Sequence, residues 1–233
     1  MSPNLKSNKY DDKVVIKPWG QEHVVYRNKN NLSVTLLKID FNKSTSLHCH
    51  PKKKSGFILL YGKAQFQLGL REKNTELHTS PSKRMIARGL FHSIKSLSRH
   101  GLIVLEFETP VDKNDLVRFK DKYGRELKSY EGSKYTRNIS RFDLIFDLTK
   151  NKKNLYKVKN TEISIENHTN FTKFLFNSKN TIFAILDGSV CDNQGRNVLS
   201  YGDIIKTEDI VILSTVFKIK KVLTVAKVNN YKK

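Results

Sequence analysis

The chain reads His48-Cys49-His50, and a third imidazole, His92, follows a turn at Gly89-Leu90-Phe91. Residues two apart on a β-strand share a face, so His48 and His50 project together while Cys49 points away. Two imidazoles side by side are half of a metal site. A second strand that brings His92 alongside completes a three-nitrogen centre for a divalent ion such as Zn, Mn, Fe, Co or Ni. A lone histidine is more often a satisfied core residue, but three in register favour the ligand reading. Glu106 and Glu108 alternate with Leu105 and Phe107, which puts both carboxylates on one strand face. They are candidates for an anionic ligand or a proton-transfer group, against the commoner case of a solvated pair.

The elements that must position these residues are short. Ser33 to Ile39 and Gly56 to Leu68 are apolar or alternating runs interrupted by glycine, which suits a barrel or sandwich. Helical periodicity is scarce, and the one short helical piece is expected around Asp112 to Val117. Residues Lys128 to Asn138 are polar and aperiodic, so a linker over 128–140 divides a unit at 13–127 from one at 141–233. In the second unit, Thr181 to Gly188 followed by Leu199 to Ile205 repeats the strand-and-glycine rhythm of the first. It contains no H-x-H, and His168 is its only histidine. The expectation is a second barrel without a metal site, with a β-rich extension packed on the first as the simpler alternative.

These residues resemble a cupin, the small β-barrel whose first motif carries H-x-H and whose second carries one more histidine. His48-Cys49-His50 running to Gly62 is similar to the first motif, and Ala87-Arg88-Gly89-Leu90-Phe91-His92 to the second, with Ala87 where a proline is usual. Two flanking stretches, Lys17-Pro18-Trp19-Gly20-Gln21-Glu22 and Glu108-Thr109-Pro110 leading to Asp115 through Arg125, resemble the phosphomannose isomerase cupins. Those are the C-terminal domains of bifunctional mannose-6-phosphate isomerase/mannose-1-phosphate guanylyltransferase enzymes. The resemblance covers roughly residues 14 to 130 in four ordered motifs. It implies an all-β fold, a double-stranded β-helix or jelly-roll cupin barrel, and the glycine rhythm of the second unit adds the expectation of a second, degenerate one.

One position departs from the pattern. Cupins usually carry a glutamate ligand seven residues before the glycine that ends the first motif, and here that position is Ser55, after Lys52-Lys53-Lys54. Three neutral imidazoles can hold a divalent ion without it. Alternatively the barrel has dispensed with metal, and Lys54 supplies fixed positive charge. The resemblance also implies a sugar-phosphate substrate, with Arg125 at the position of a substrate-binding arginine, suited to bidentate phosphate contact. Lys54 ranks second for that role, and Arg118 is either a further anion ligand or a structural ion-pair partner. Trp19, the only tryptophan, packs in the core or stacks on a sugar at the barrel mouth.

Composition narrows the classes. A formal net charge of +21 invites a nucleic-acid reading, but the cations are mostly lysines spread along the chain without an arginine-rich stripe. A solvated surface that also concentrates anionic small molecules explains them better. Cys49 and Cys191 stand far apart, so neither a disulfide framework nor a zinc finger is indicated and a reducing, cytoplasmic setting is expected. No apolar stretch reaches the length of a membrane span. The function expected is a metal-dependent sugar-phosphate or nucleotide-sugar isomerase or epimerase in surface-polysaccharide precursor synthesis. The competing class is a non-catalytic, sugar-nucleotide-binding regulatory cupin, with nucleic-acid binding third. A homodimer is compatible with either of the first two.

Overall fold

The computed structural model describes residues 12–29, 31–112, 114–124, 135–148 and 154–230. The first half opens with β1 (Lys13–Lys17), β2 (Gly20–Asn28), β3 (Leu32–Ile39), β4 (Leu47–Cys49), β5 (Lys54–Tyr61) and β6 (Lys63–Leu68). It continues through β7 (Thr75–Thr79), β8 (Ser82–Ile86), β9 (His92–Ser96), β10 (Leu102–Thr109), β11 (Val117–Lys120) and β12 (Thr136–Asn138). The second half contains β13 (Asn154–Val158), β14 (Thr161–His168), α1 (Thr172–Leu175), β15 (Ile182–Asp187) and β16 (Val190–Cys191). After these come β17 (Asn197–Leu199), β18 (Ile204–Lys206), α2 (Thr207–Leu213), β19 (Lys218–Ile219) and β20 (Leu223–Asn230).

Two antiparallel sheets face each other in the first half, ordered β12-β1-β2-β3-β10-β5-β8 and β11-β4-β9-β6-β7. The inner faces enclose Trp19, Leu37, Phe57, Leu59, Phe66, Ile94, Leu102 and Val104. The larger sheet is buried on its outer face too. There Val34, Leu36, Ile58, Leu60, Leu105 and Phe107 pack against Ile163, Ile182, Ala184, Ala226 and Val228 of the second half. This double burial explains the unbroken apolar run Phe57-Ile58-Leu59-Leu60, in which odd positions fill the barrel and even positions join the two halves. Gly56 lies on the joining face, where a Cβ would come within 2.6 Å of Ile204 Cδ1 and 2.8 Å of Met85 Sδ. Glycine is what lets the second half approach this closely.

The second half is a smaller copy of the first. Its main sheet, β13-β14-β20-β15-β18, has the same order as β2-β3-β10-β5-β8, and a short sheet β17-β16-β19 faces it. Gly188 turns the chain after β15 at φ +83°, as Gly62 does after β5, and a side chain there would strike the Val222 carbonyl oxygen at 2.1 Å. The two halves differ where the first carries its histidines. Between β14 and β15, at the place of β4, the chain forms α1; between β18 and β19, at the place of the loop leading to His92, it forms α2. These helices pack on each other and drive Phe174 and Ile210 into a core with Phe183, Ile185 and Val225. Apolar side chains thus plug the second barrel where the first has its histidines.

Two local expectations change. No helix forms among the described residues at Asp112 to Val117. Asn114 N–H donates to the Asp112 carboxylate at 3.0 Å and Leu116 N–H to the Asn114 carbonyl at 3.0 Å, making a turn. Aspartates bonding to backbone N–H groups compete with a helix here. The stretch expected as a linker, 128–140, lies partly outside the described residues; at its described end β12 pairs with β1 and extends the larger sheet.

Candidate metal centre

β4 and β9 are neighbours in the smaller sheet, and their register sets His48 directly opposite His92. His50 follows just past the end of β4, where its carbonyl accepts the Gly89 N–H at 2.9 Å and ties the two histidine segments together. The ring centroids are 4.6 Å apart for His48 and His92, 5.0 Å for His48 and His50, and 5.6 Å for His50 and His92. A ligand nitrogen from each lies within 4.8 Å of the other two.

The hydrogen bonds select the tautomer. Nδ1–H of His48 donates to the Ser46 carbonyl at 2.9 Å, that of His50 to the Asp115 carbonyl, and that of His92 to the Leu90 carbonyl at 3.0 Å. Each ring therefore presents an Nε2 lone pair inward, in the manner of metal-bound imidazoles held by backbone acceptors. His92 Nε2 is buried with no hydrogen-bond partner. Burial is the main reason all three titrate below the ordinary histidine value. For His48 the other two rings add to it, for His50 the Lys53 ammonium does, and His92 is pushed down to about 4. Neutral imidazoles sharing one small space, with an orphaned nitrogen among them, fit a divalent cation.

Carboxylates and cations complete the wall. Glu106 and Glu108 lie on β10 in the inward alternation of Leu102 and Val104, and with His50 they form a second group of ligand atoms within 4.8 Å. They line the cavity beside the histidines and do not face solvent as a mere surface pair. Lys53, 4% exposed, donates from Nζ to Glu108 Oε1. Arg118, on β11 opposite His48, donates from Nε to Ser46 Oγ at 3.3 Å and lines the same cavity, as do Lys17 and Glu22, themselves paired at 3.3 Å. Trp19 is 4% exposed; it belongs to the barrel core and also forms part of the cavity wall.

Lys54 is not brought to the site. It sits at an even position of β5, so it points to the second half, where Nζ donates to Asp203 Oδ1 at 2.5 Å. Of Lys52, Lys53 and Lys54, the one that enters the barrel is Lys53. Arg125 lies outside the described residues. Sequence reasoning also passed over Asp115, 5% exposed, whose carboxylate accepts Lys53 N–H at 2.8 Å and Lys52 N–H at 2.9 and 3.0 Å. One residue thus fixes both the entry to β5 and, through its carbonyl, the His50 ring. Its signal was present in the Asp115-Leu116-Val117-Arg118 signature but read as a helix.

Residues 4–121 match the family model described as mannose-6-phosphate isomerase C-terminal. No curated protein matches the chain. Among solved structures, a protein of Bacillus halodurans is 22% identical, covering 36% of this chain and 65% of its own length at a TM-score of 0.34. KdgF from Halomonas sp. is 16% identical over 44% of this chain and 91% of its own, TM-score 0.38. The capsular polysaccharide assembling protein CapF from Staphylococcus aureus is 15% identical over 46% of this chain and 34% of its own, TM-score 0.41. The chain therefore spans less than two thirds of the first of these proteins and about a third of the last.

Proposed function

Because the chain belongs to the mannose-6-phosphate isomerase C-terminal family, we propose that it isomerises or epimerises a sugar phosphate or nucleotide sugar, with a divalent metal held by His48, His50 and His92. The observation that carries this reading is the convergence of three inward Nε2 atoms beside two carboxylates and a buried ammonium in one cavity. A bound divalent ion would act there as a Lewis acid toward the sugar oxygens. The chain's own residues supply the rest. Glu106 takes the proton from the carbon next to the carbonyl and delivers it to the former carbonyl carbon as the hydroxyl proton passes between the two oxygens, Lys53 places a cation where negative charge develops, and Trp19 walls the sugar off from water. Arg118 and Lys17 line the mouth in position to meet the anionic group, and Arg125, on the family resemblance, contacts the phosphate.

The setting that fits is surface-polysaccharide precursor synthesis in the cytoplasm, with the division at 13–127 and 141–233 leaving chemistry to the first barrel alone. Ser55 at the usual glutamate position keeps a second reading in view, a cupin that binds a sugar nucleotide without turning it over. Calorimetry and proton-exchange NMR with a panel of hexose phosphates and nucleotide sugars separate the two. The isomerase reading expects turnover that Glu106→Gln abolishes, and binding that Arg125→Ala or Arg118→Ala weakens by roughly ten- to a hundredfold, since a bond to a charged partner contributes about 1.5–3 kcal/mol. Tight binding without solvent exchange or product supports the regulatory reading. Equal affinity for a sugar phosphate and its unphosphorylated counterpart contradicts both.

A further inference from the structure

We infer that Glu108 supplies the carboxylate ligand of this centre, replacing from β10 the glutamate that the first cupin motif ordinarily carries where Ser55 stands. Lys53 is the counter-cation that carboxylate holds until a metal binds. This rests on the metal-centre reading above.

Ser55 and Glu108 are direct cross-strand partners in the β5–β10 pair. Both follow the inward alternation, Ser55 with Phe57 and Leu59, Glu108 with Leu102 and Val104. Directly opposed residues have Cβ atoms about 4.5–5.5 Å apart, so a glutamate at either position reaches the same part of the barrel. Ser55 is small enough to leave that space open, and its own Oγ is buried without a hydrogen-bond partner. Glu108 Oε1 lies 3.9 Å from His50 Nε2, and His92 Nε2 is orphaned within the same group of rings. Glu106 pairs instead with Phe57 on β5 and Thr35 on β3, two residue pairs further from position 55.

Lys53 explains how a carboxylate sits in a water-poor barrel before an ion arrives. Side chains 5% and 14% exposed form a charged pair there, and an unpartnered buried charge would be strongly disfavoured. The ammonium and a divalent ion compete for the same oxygen. Removing the carboxylate must therefore weaken metal binding, and removing the ammonium must strengthen it.

The test is titration of chelator-stripped protein with Co2+, followed by its visible absorption and by calorimetry, with circular dichroism confirming that each variant is folded. Glu108→Gln should weaken Co2+ binding by at least about tenfold, since even residues that only orient a ligand contribute about 10–100-fold, and should alter the absorption spectrum. Glu106→Gln, which removes a neighbouring charge and no ligand, should weaken binding less than Glu108→Gln does and leave the absorption spectrum as in wild type. Lys53→Met should bind more tightly, and only while Glu108 is present. The double variant Ser55→Glu/Glu108→Gln should recover the affinity lost in Glu108→Gln, because it returns the carboxylate to the usual position. Wild-type protein that takes up no Co2+ overturns the metal centre itself. Wild-type binding with Glu108→Gln unchanged, a loss that falls on Glu106→Gln instead, or a double variant that recovers nothing overturns the assignment of Glu108 alone. Lys53→Met that binds no tighter overturns the role given to Lys53.

Discussion

Replacing Asp115 with alanine should damage the fold and the site together. Its buried carboxylate accepts two backbone N–H groups at the entry to β5, Lys53 at 2.8 Å and Lys52 at 2.9 and 3.0 Å, and its backbone carbonyl holds His50. Alanine leaves both donors unmade, the Lys53 N–H in the interior and the Lys52 N–H on an exposed residue. At about 1–3 kcal/mol for the buried Lys53 N–H and less for the Lys52 N–H, which water reaches, Asp115→Ala should lose roughly 2–5 kcal/mol. For a chain of this size that lowers the unfolding midpoint by roughly 5–20 °C, at about 2–4 °C per kcal/mol. Asparagine keeps one acceptor oxygen and should lose about half as much. Lys53 leads directly into Ser55, and the 115–116 turn orients the His50 ring, so metal affinity should fall along with stability. The assay is thermal unfolding followed by circular dichroism, with and without chelator, beside a Co2+ titration of the same preparations. An Asp115→Ala protein that melts with wild type and binds metal equally well would refute this account of how the site is held.

Other outcomes follow from the packing and the charges. Gly56→Val should destabilise the chain by about 1–3 kcal/mol in urea unfolding, because its side chain meets Ile204 and Met85 across the joint between the halves. In the second barrel, a hydrogen bond from His168, followed by bonds from Lys227 and Ser164, brings the Glu166 carboxyl down from 4.5 to about 2. A folded value below the unfolded one means that ionised Glu166 stabilises the fold in full above about 4.5, and that this contribution is lost as pH falls toward about 2. The difference in unfolding free energy between wild type and Glu166→Gln should shrink over that window, and a constant difference would contradict the bonds drawn. A chain ending near Asn138 should be poorly soluble, because Ile58, Leu60, Leu105 and Phe107 would lose the apolar surface that covers them. Light scattering after expression would show it.

The histidines were legible because H-x-H on a strand needs no tertiary information to place both rings on one face, and His92 came with its own glycine turn. Which lysine enters the barrel was not. In Lys52-Lys53-Lys54 the answer depends on strand parity, and the run that should reveal parity, Phe57 to Leu60, is apolar at every position because both faces of its sheet are buried. The same double burial hid the inward direction of Glu106 and Glu108, whose neighbours Leu105 and Phe107 face the second half. The second barrel was readable from its glycine rhythm, whereas the helices that plug it, four and seven residues long, are too short for a 3.6-residue period to declare itself. Asp115 was mistaken for part of a helix because its partners, the N–H groups of Lys52 and Lys53, lie more than sixty residues away in sequence.

The most direct test of the central claim is the metal content of protein purified without added metal, measured by elemental analysis beside His48→Ala and His92→Ala preparations that circular dichroism shows to be folded. Three neutral, inward imidazoles predict a first-row divalent ion at up to one equivalent in wild type and its loss in both variants. A wild-type protein that carries no metal and still converts its sugar substrate fully after exhaustive chelation would contradict the account.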